Sequence, residues 1–157
     1  MSRLTLPKNR RLASNRQFKT VLDEGCRRGD RLLTVYMAPN ACGRPRLGVS
    51  VGRVCGDAVV RNRLKRLMRE AFRLSQDQIP RSFDYVLMIA PAMVRRLRAT
   101  SSPATACALL TCTQVQTSFL ALAQAALERS LINREDSHGP GREPPDTAKP
   151  DRRESDT

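Results

Sequence analysis

The run FDYVLMIA, residues 83–90, constrains the fold of this 157-residue chain more than any other segment. It is a continuous apolar stretch of strand length, closed by Pro91, and such a run fits a strand buried on both faces. Two further segments read as strands with one apolar face. In RLLTVYMA (31–38), Leu33, Val35 and Met37 point one way and Thr34 and Tyr36 the other. In RLGVSV (46–51), Leu47, Val49 and Val51 lie opposite Arg46, Gly48 and Ser50. Helices are expected around them. SNRQFKTVLDEG can be capped by Ser14 or Asn15 and is stopped by Gly25, with Phe18, Val21 and Leu22 on one face. A second helix is expected from about Ala58 to Leu74. A last one is expected over 113–131, where Val115, Phe119, Leu122 and Ala126 recur at helical spacing. PNACGRP (39–45) reads as a loop, and 91–112 as a loop that turns helical near Ala104. After Ile132 there is no large apolar side chain, so 132–157 reads as a disordered tail behind a single domain of residues 1–131.

Charge narrows the function. The formal net charge is +13, and it is unevenly placed. Residues 1–98 hold 22 basic and 7 acidic side chains, a net +15, whereas 99–131 are neutral and 132–157 are net −2. A basic folded body suits a polyanion, either nucleic acid or an anionic surface. The segment RNRLKRLMREAFR, Arg61 to Arg73, is the centre of that charge, with six Arg or Lys in thirteen residues and no helix breaker.

On a helical wheel, Val60, Leu64, Leu67, Ala71 and Leu74 form one stripe, with Met68 at its margin; that stripe is the expected core contact. Arg61, Lys65, Arg69 and Arg73 recur every four residues along another face. Asn62 and Arg66 flank them, and Arg63 lies farther round. Glu70 is the sole acidic residue of the helix and pairs on paper with Arg66 at i−4. Like charges at i,i+4 are mildly destabilising, so an external anion is expected to relieve them. Arg predominates over Lys, as suits two-pronged phosphate contacts. The amide of Asn62 can meet a 2′-OH, a base edge or a phosphate. Phe18 and Phe72 fit a core, the usual place for Phe. Tyr36, on the strand face away from Leu33 and Met37, can either stack an unpaired base or pack inside.

Several chemistries are disfavoured. The single histidine, His138, falls in the expected tail, which disfavours a His-based triad or a His-ligated metal. There is no G-x-x-x-x-G-K-[ST] loop and no carboxylate cluster suited to metal-dependent phosphodiester cleavage. Cys26, Cys42, Cys55, Cys107 and Cys112 make no C-x-x-C pair and are odd in number, which reads as reduced thiols. The charged N-terminal residues carry no apolar signal segment, and the apolar-leaning stretch near 104–127 is a poor membrane span. A soluble, cytoplasmic protein with no membrane partner and no small-molecule cofactor is expected. If it serves a reaction, another component carries the chemistry.

The composite RLGVSVGRVCGDAVVRNRLKRLMREAFR resembles the protein subunit of bacterial ribonuclease P. The family hallmark R-N-R-x-K-R-x-x-R-E is present as Arg61, Asn62, Arg63, Lys65, Arg66, Arg69 and Glu70. The preceding R-x-G-x-S/T-V element is matched by Arg46, Gly48, Ser50 and Val51. The resemblance covers about Arg10 to Ala90 well and the last helix weakly. It implies an α/β fold of the α+β sandwich kind, ribosomal-protein-like, with a four-stranded mixed sheet packed on helices and a left-handed βαβ crossover. It also implies a function. The chain would join a catalytic RNA and assist removal of the 5′ leader of precursor tRNA, with Mg²⁺ held mainly by the RNA and substrate and no catalytic residue on the protein. Carried over by position, Arg46, Arg53, Arg61, Asn62, Arg63, Lys65, Arg66, Arg69 and Arg73 contact RNA, and Phe18, Tyr36 and Ser50 line a leader cleft. Leu22, Val54, Asp57 and Ala90–Ala92 depart from the family pattern. The alternative is a general structured-RNA-binding protein, ribosomal or assembly-related, without a nuclease role. A DNA-binding basic helix is a third reading, but no dimerisation heptad or helix-turn-helix spacing accompanies it.

Overall fold

The computed structural model describes residues 6–100 and 102–136. In chain order these form α1 (Asn15–Glu24), β1 (Cys26–Gly29), β2 (Leu33–Pro39), β3 (Arg46–Ser50), α2 (Ala58–Ser75), β4 (Phe83–Ile89), α3 (Pro91–Ala99), α4 (Pro103–Ala108) and α5 (Cys112–Asp136), with short 3₁₀ turns at Lys8–Arg10 and Arg53–Cys55.

One mixed sheet organises the molecule, in the order β1-β2-β4-β3. β4 lies between β2, antiparallel to it, and β3, parallel to it. This explains its unbroken apolar sequence: Tyr85, Val86 and Leu87 are fully buried because both faces of β4 are covered. On one face sit Leu33, Val35, Met37, Leu47, Tyr85 and Leu87, packed with residues of α2 and α5 in the main core. Phe72, Tyr85 and Phe119 meet there with ring centroids 5.7–5.9 Å apart, fastening α2 and α5 to the sheet. A smaller cluster of Leu12, Val21, Ala38 and Val86, joined by Phe18, Tyr36 and Met88, fills the space under α1 on the other face.

Local chemistry sets the ends of the elements. Ser14 caps α1 in a capping box, its hydroxyl accepting from the Gln17 N–H while the Gln17 side chain accepts from the Ser14 N–H. Gly25 ends the helix where a Cβ would lie 2.2 Å from the Val21 carbonyl oxygen, so no larger residue fits. Thr111 and Gln114 make the same reciprocal cap at the start of α5. Among the described residues the five cysteines are free thiols, and no helix is long and apolar enough to cross a membrane.

In the placement of its elements, the structure departs from the sequence expectations in three places. Residues 26–29 form an edge strand, β1, that the polar stretch CRRG did not announce. Its register is fixed by pairing with β2 and by the Asp30 carboxylate, which accepts from the Leu32 and Leu33 N–H groups at 2.7 and 2.8 Å and closes the hairpin. Residues 91–112 hold two helices where a loop was expected as far as Ala104. Pro91 occupies the first turn of α3, where its missing N–H has no cost, and Met93 and Leu97 bury at i,i+4. Finally, α5 continues through Asp136, so the first residues assigned to a tail are helical. The remainder of that tail, with His138, lies outside the described residues.

Candidate RNA interface

α2 carries the basic segment, and its orientation follows from what it buries. Val60, Leu64, Met68, Ala71, Phe72 and Ser75 face inward. The expected stripe is therefore rotated: Leu67 is only half-buried and Leu74 is 47 % exposed, while Met68 and Phe72 are fully enclosed. The reason is tertiary. α2 packs on both the sheet and α5, which draws in the flank holding Phe72, and Ser75 satisfies its own hydroxyl by donating to the Ala71 carbonyl at 2.7 Å.

This rotation sorts the cationic side chains. Asn62, Arg63 and Arg66 are exposed, whereas Arg61, Lys65, Arg69 and Arg73 are half-buried along the flank. Burial, with the nearby Arg11 charge adding to it, lowers the pKa of Arg69 from the usual guanidinium range. Arg73 lies against Glu70, its Nε donating to Oε2 at 2.9 Å and its terminal nitrogen to Oε1. Glu70 thus pairs with Arg73 and not with Arg66 as expected. That contact, outweighing partial burial, holds the Glu70 carboxyl below its ordinary range. Arg66 is left without an ion-pair partner among the described residues. Arg63 donates through Nε to the Cys107 carbonyl at 3.3 Å, which ties α4 to α2. The Nε of Arg61 is buried and has no hydrogen-bond partner.

The segment before α2 shapes its entrance. Arg53 is exposed on its 3₁₀ turn. Gly56, at φ 142°, takes a conformation that side chains disfavour. Asp57 is the N-cap: its carboxylate accepts from the Val60 N–H at 3.0 Å, so its charge serves the helix end. Arg46 is engaged elsewhere. It makes a two-pronged pair with Asp84, both contacts 2.7 Å, and Asn40 donates to the same carboxylate.

On the sheet face beneath α1, a groove of about 450 Å³ is lined by Asn15, Phe18, Lys19, Leu22, Asp23, Val49 and Ser50. Phe18 and Ser50 thus share one concavity. Phe18 reaches the sheet because residue 48 is glycine; a Cβ there would come within 2.4 Å of the Phe18 ring. Tyr36 is half-buried on the same sheet face and packs with the small cluster beside the groove; it is not among the groove-lining residues. Lys19 and Val49 were not anticipated. Lys19 is the residue after Phe18 on α1, and Val49 packs against the main core as the alternation of β3 predicts while also reaching the groove. Arg27 was missed with its strand; it is exposed and pairs across β1–β2 with Tyr36.

Four carboxylates near these surfaces, those of Asp30, Asp57, Glu70 and Asp84, are engaged within the fold. Asp30 accepts from two backbone N–H groups and from Ser118; despite partial burial, these bonds keep its carboxyl below the usual range. Asp57, Glu70 and Asp84 are engaged as described. Among the described residues no three of His, Cys, Asp or Glu come together.

Residues 6–109 match the family model described as Ribonuclease P, two-thirds of the chain. The chain belongs to the ribonuclease P protein family. A ribonuclease P protein component from Methylococcus capsulatus is 47% identical over 83 residues, which span 52% of this chain and 64% of that relative. The component from Pelotomaculum thermopropionicum is 35% identical over 123 residues, 78% of this chain and 94% of the relative. Among solved structures, the RNase P protein from Thermotoga maritima superposes with a TM-score of 0.61 at 28% identity, over 73% of this chain and 96% of that one. The RNase P protein from Staphylococcus aureus gives 0.55 at 27%, over 78% and 93%. This chain shares their fold, and its own α+β architecture on a mixed four-stranded sheet is the one the family resemblance implied.

Proposed function

We propose that this chain acts as the protein subunit of a cytoplasmic ribonuclease P, docking on the catalytic RNA through α2 and holding the single-stranded 5′ leader of precursor tRNA in the groove under α1. The observation that carries this reading is the outer face of α2. Asn62, Arg63 and Arg66 are presented to solvent, and the helix's one carboxylate, Glu70, is neutralised by Arg73. Planar guanidiniums in that setting suit phosphate oxygens. The groove offers the Phe18 ring for base stacking, Ser50 for hydrogen bonding and Lys19 for a backbone phosphate. Tyr36 contributes from beside the groove. The protein's share of the reaction is to bind and orient; the Mg²⁺ ions are those of the RNA and substrate.

Reconstitution tests this. Adding the chain to its cognate catalytic RNA at low Mg²⁺ is expected to stimulate precursor-tRNA cleavage, and Phe18→Ala is expected to weaken precursor binding more than mature tRNA binding. Binding of structured RNA with no stimulation and no preference for precursor would instead identify a general RNA-binding protein.

A further inference from the structure

We infer that the edge of the sheet where β3 and β4 end is a second phosphate-binding surface for folded RNA, built from Arg95, Arg96 and Arg98 of α3 together with Arg31. This rests on the RNA-binding reading above and extends it to residues outside α2 and the groove. Topology assembles the surface. β3 and β4 are parallel neighbours, with Ser50 opposite Met88, so their ends lie side by side, and β2 begins at the same edge, with Leu33 opposite Ile89. Three segments therefore emerge together: the Asp30–Leu32 turn, the Arg53–Cys55 turn, and α3, which contacts the latter. α3 is anchored by buried Met93 and Leu97, leaving Arg95, Arg96 and Arg98 exposed. Arg31 and Arg96 rim one groove of about 930 Å³ whose lining also includes Asp30, Leu32, Met93 and Leu110.

Cations outnumber carboxylates at this edge: Asp30, which lines the same groove, and Asp57 stand against Arg31, Arg53, Arg95, Arg96 and Arg98. No Asp or Glu occurs between Asp84 and Glu128. The two acids nearby, Asp30 and Asp57, are turned into backbone N–H groups. Among the described residues the ion pairs are Arg46–Asp84 and Arg73–Glu70, neither at this edge. The plainer explanation is that Arg96 and Arg98 favour the last turn of α3 through the helix dipole. That accounts for neither Arg95 nor the convergence of Arg31 and Arg53 from two other segments. Clustered like charge of this kind is relieved by a polyanion, and planar arginines beside a basic helix match RNA phosphates.

The test uses the full chain carrying R95A/R96A/R98A, with circular dichroism and thermal melting to confirm the wild-type fold. Affinity for the cognate catalytic RNA and for precursor tRNA is measured between about 50 and 200 mM salt. A fall of roughly tenfold or more is expected, with the slope of log K against log salt shallower by about 2 to 3. The RNA that shows the loss is the one this edge contacts. R44A/R81A, removing two exposed arginines at the opposite end of the sheet, is expected to leave the slope near wild type. A triple variant with wild-type affinity and slope toward both RNAs, or one matched by R44A/R81A, overturns the inference while R66A still reports on α2. Failure of the wild-type chain to bind either RNA would overturn the RNA-binding reading itself.

Discussion

At the scale of single residues, the interface separates cations that are free from cations that are engaged. Arg66 is exposed with no internal carboxylate partner, so Arg66→Ala is expected to weaken catalytic-RNA binding by roughly 1–2 kcal/mol and to flatten the salt slope, as for a lost charge-assisted contact. An unchanged slope would make Arg66 part of a solvated face. Arg46 makes the opposite case. Its fork is closed on Asp84, whose side chain is only 9% exposed. Asp84→Ala would leave that guanidinium without its acceptor and Asn40 with only the Arg44 carbonyl. A stability loss of about 2–3 kcal/mol is expected in urea denaturation, after allowing for the partial exposure of Arg46. Gly48 is a steric requirement. Gly48→Ala drives a methyl into the Phe18 ring and is expected to cost about 1–3 kcal/mol. Most of that cost should vanish in a Phe18→Ala background, because the clash falls chiefly on the Phe18 ring, with Leu12 Cδ1 farther off at 3.1 Å; an equal cost in both backgrounds would place the strain elsewhere.

At the scale of elements, what was legible in the sequence is what depends on local pattern. The apolar run of β4, the alternation in β2 and β3, the cap at Ser14 and the breaker-free basic helix all predict their elements within a residue or two. What was not legible depends on neighbours. β1 has no apolar alternation and exists because β2 offers it an edge and Asp30 closes the turn. The buried stripe of α2 was drawn from Leu67 and Leu74, but the joint demand of the sheet and α5 turned the helix toward Met68 and Phe72. This matters for the interface, since the same rotation brings Arg66 outward and draws Arg61 and Arg69 toward the body. In the groove, Phe18 could be named from its family position, whereas Lys19 and Val49 needed the packing of α1 on the sheet. The Phe72–Tyr85–Phe119 contact carries this packing. Phe72→Ala is expected to destabilise by about 3–5 kcal/mol in denaturant unfolding, and a cost under about 1 kcal/mol would contradict so central a place for Phe72.

At the scale of the whole molecule, a positively charged body is held together in part by a few engaged carboxylates. The Asp30 and Glu70 carboxyls lie below their ordinary values of 3.8 and 4.5 in the folded state, so their contributions are fully present above those values and are lost as pH falls through the lower folded ones. Stability is therefore expected to hold near neutrality and to decline below about pH 4.5, with protonation adding to the existing positive charge. The same charge makes association with RNA fall steeply with salt. In the proposed reading α2 takes a structured RNA and the groove under α1 a single strand, and their joint action is the central claim. The measurement that tests it most directly is precursor-tRNA cleavage by the cognate catalytic RNA at low Mg²⁺, with and without this chain. The account predicts strong stimulation by the wild-type chain, reduced by Arg66→Ala, with Phe18→Ala lowering the preference for precursor over mature tRNA. Cleavage at the same rate with and without the chain, at concentrations where it binds the RNA, would contradict it.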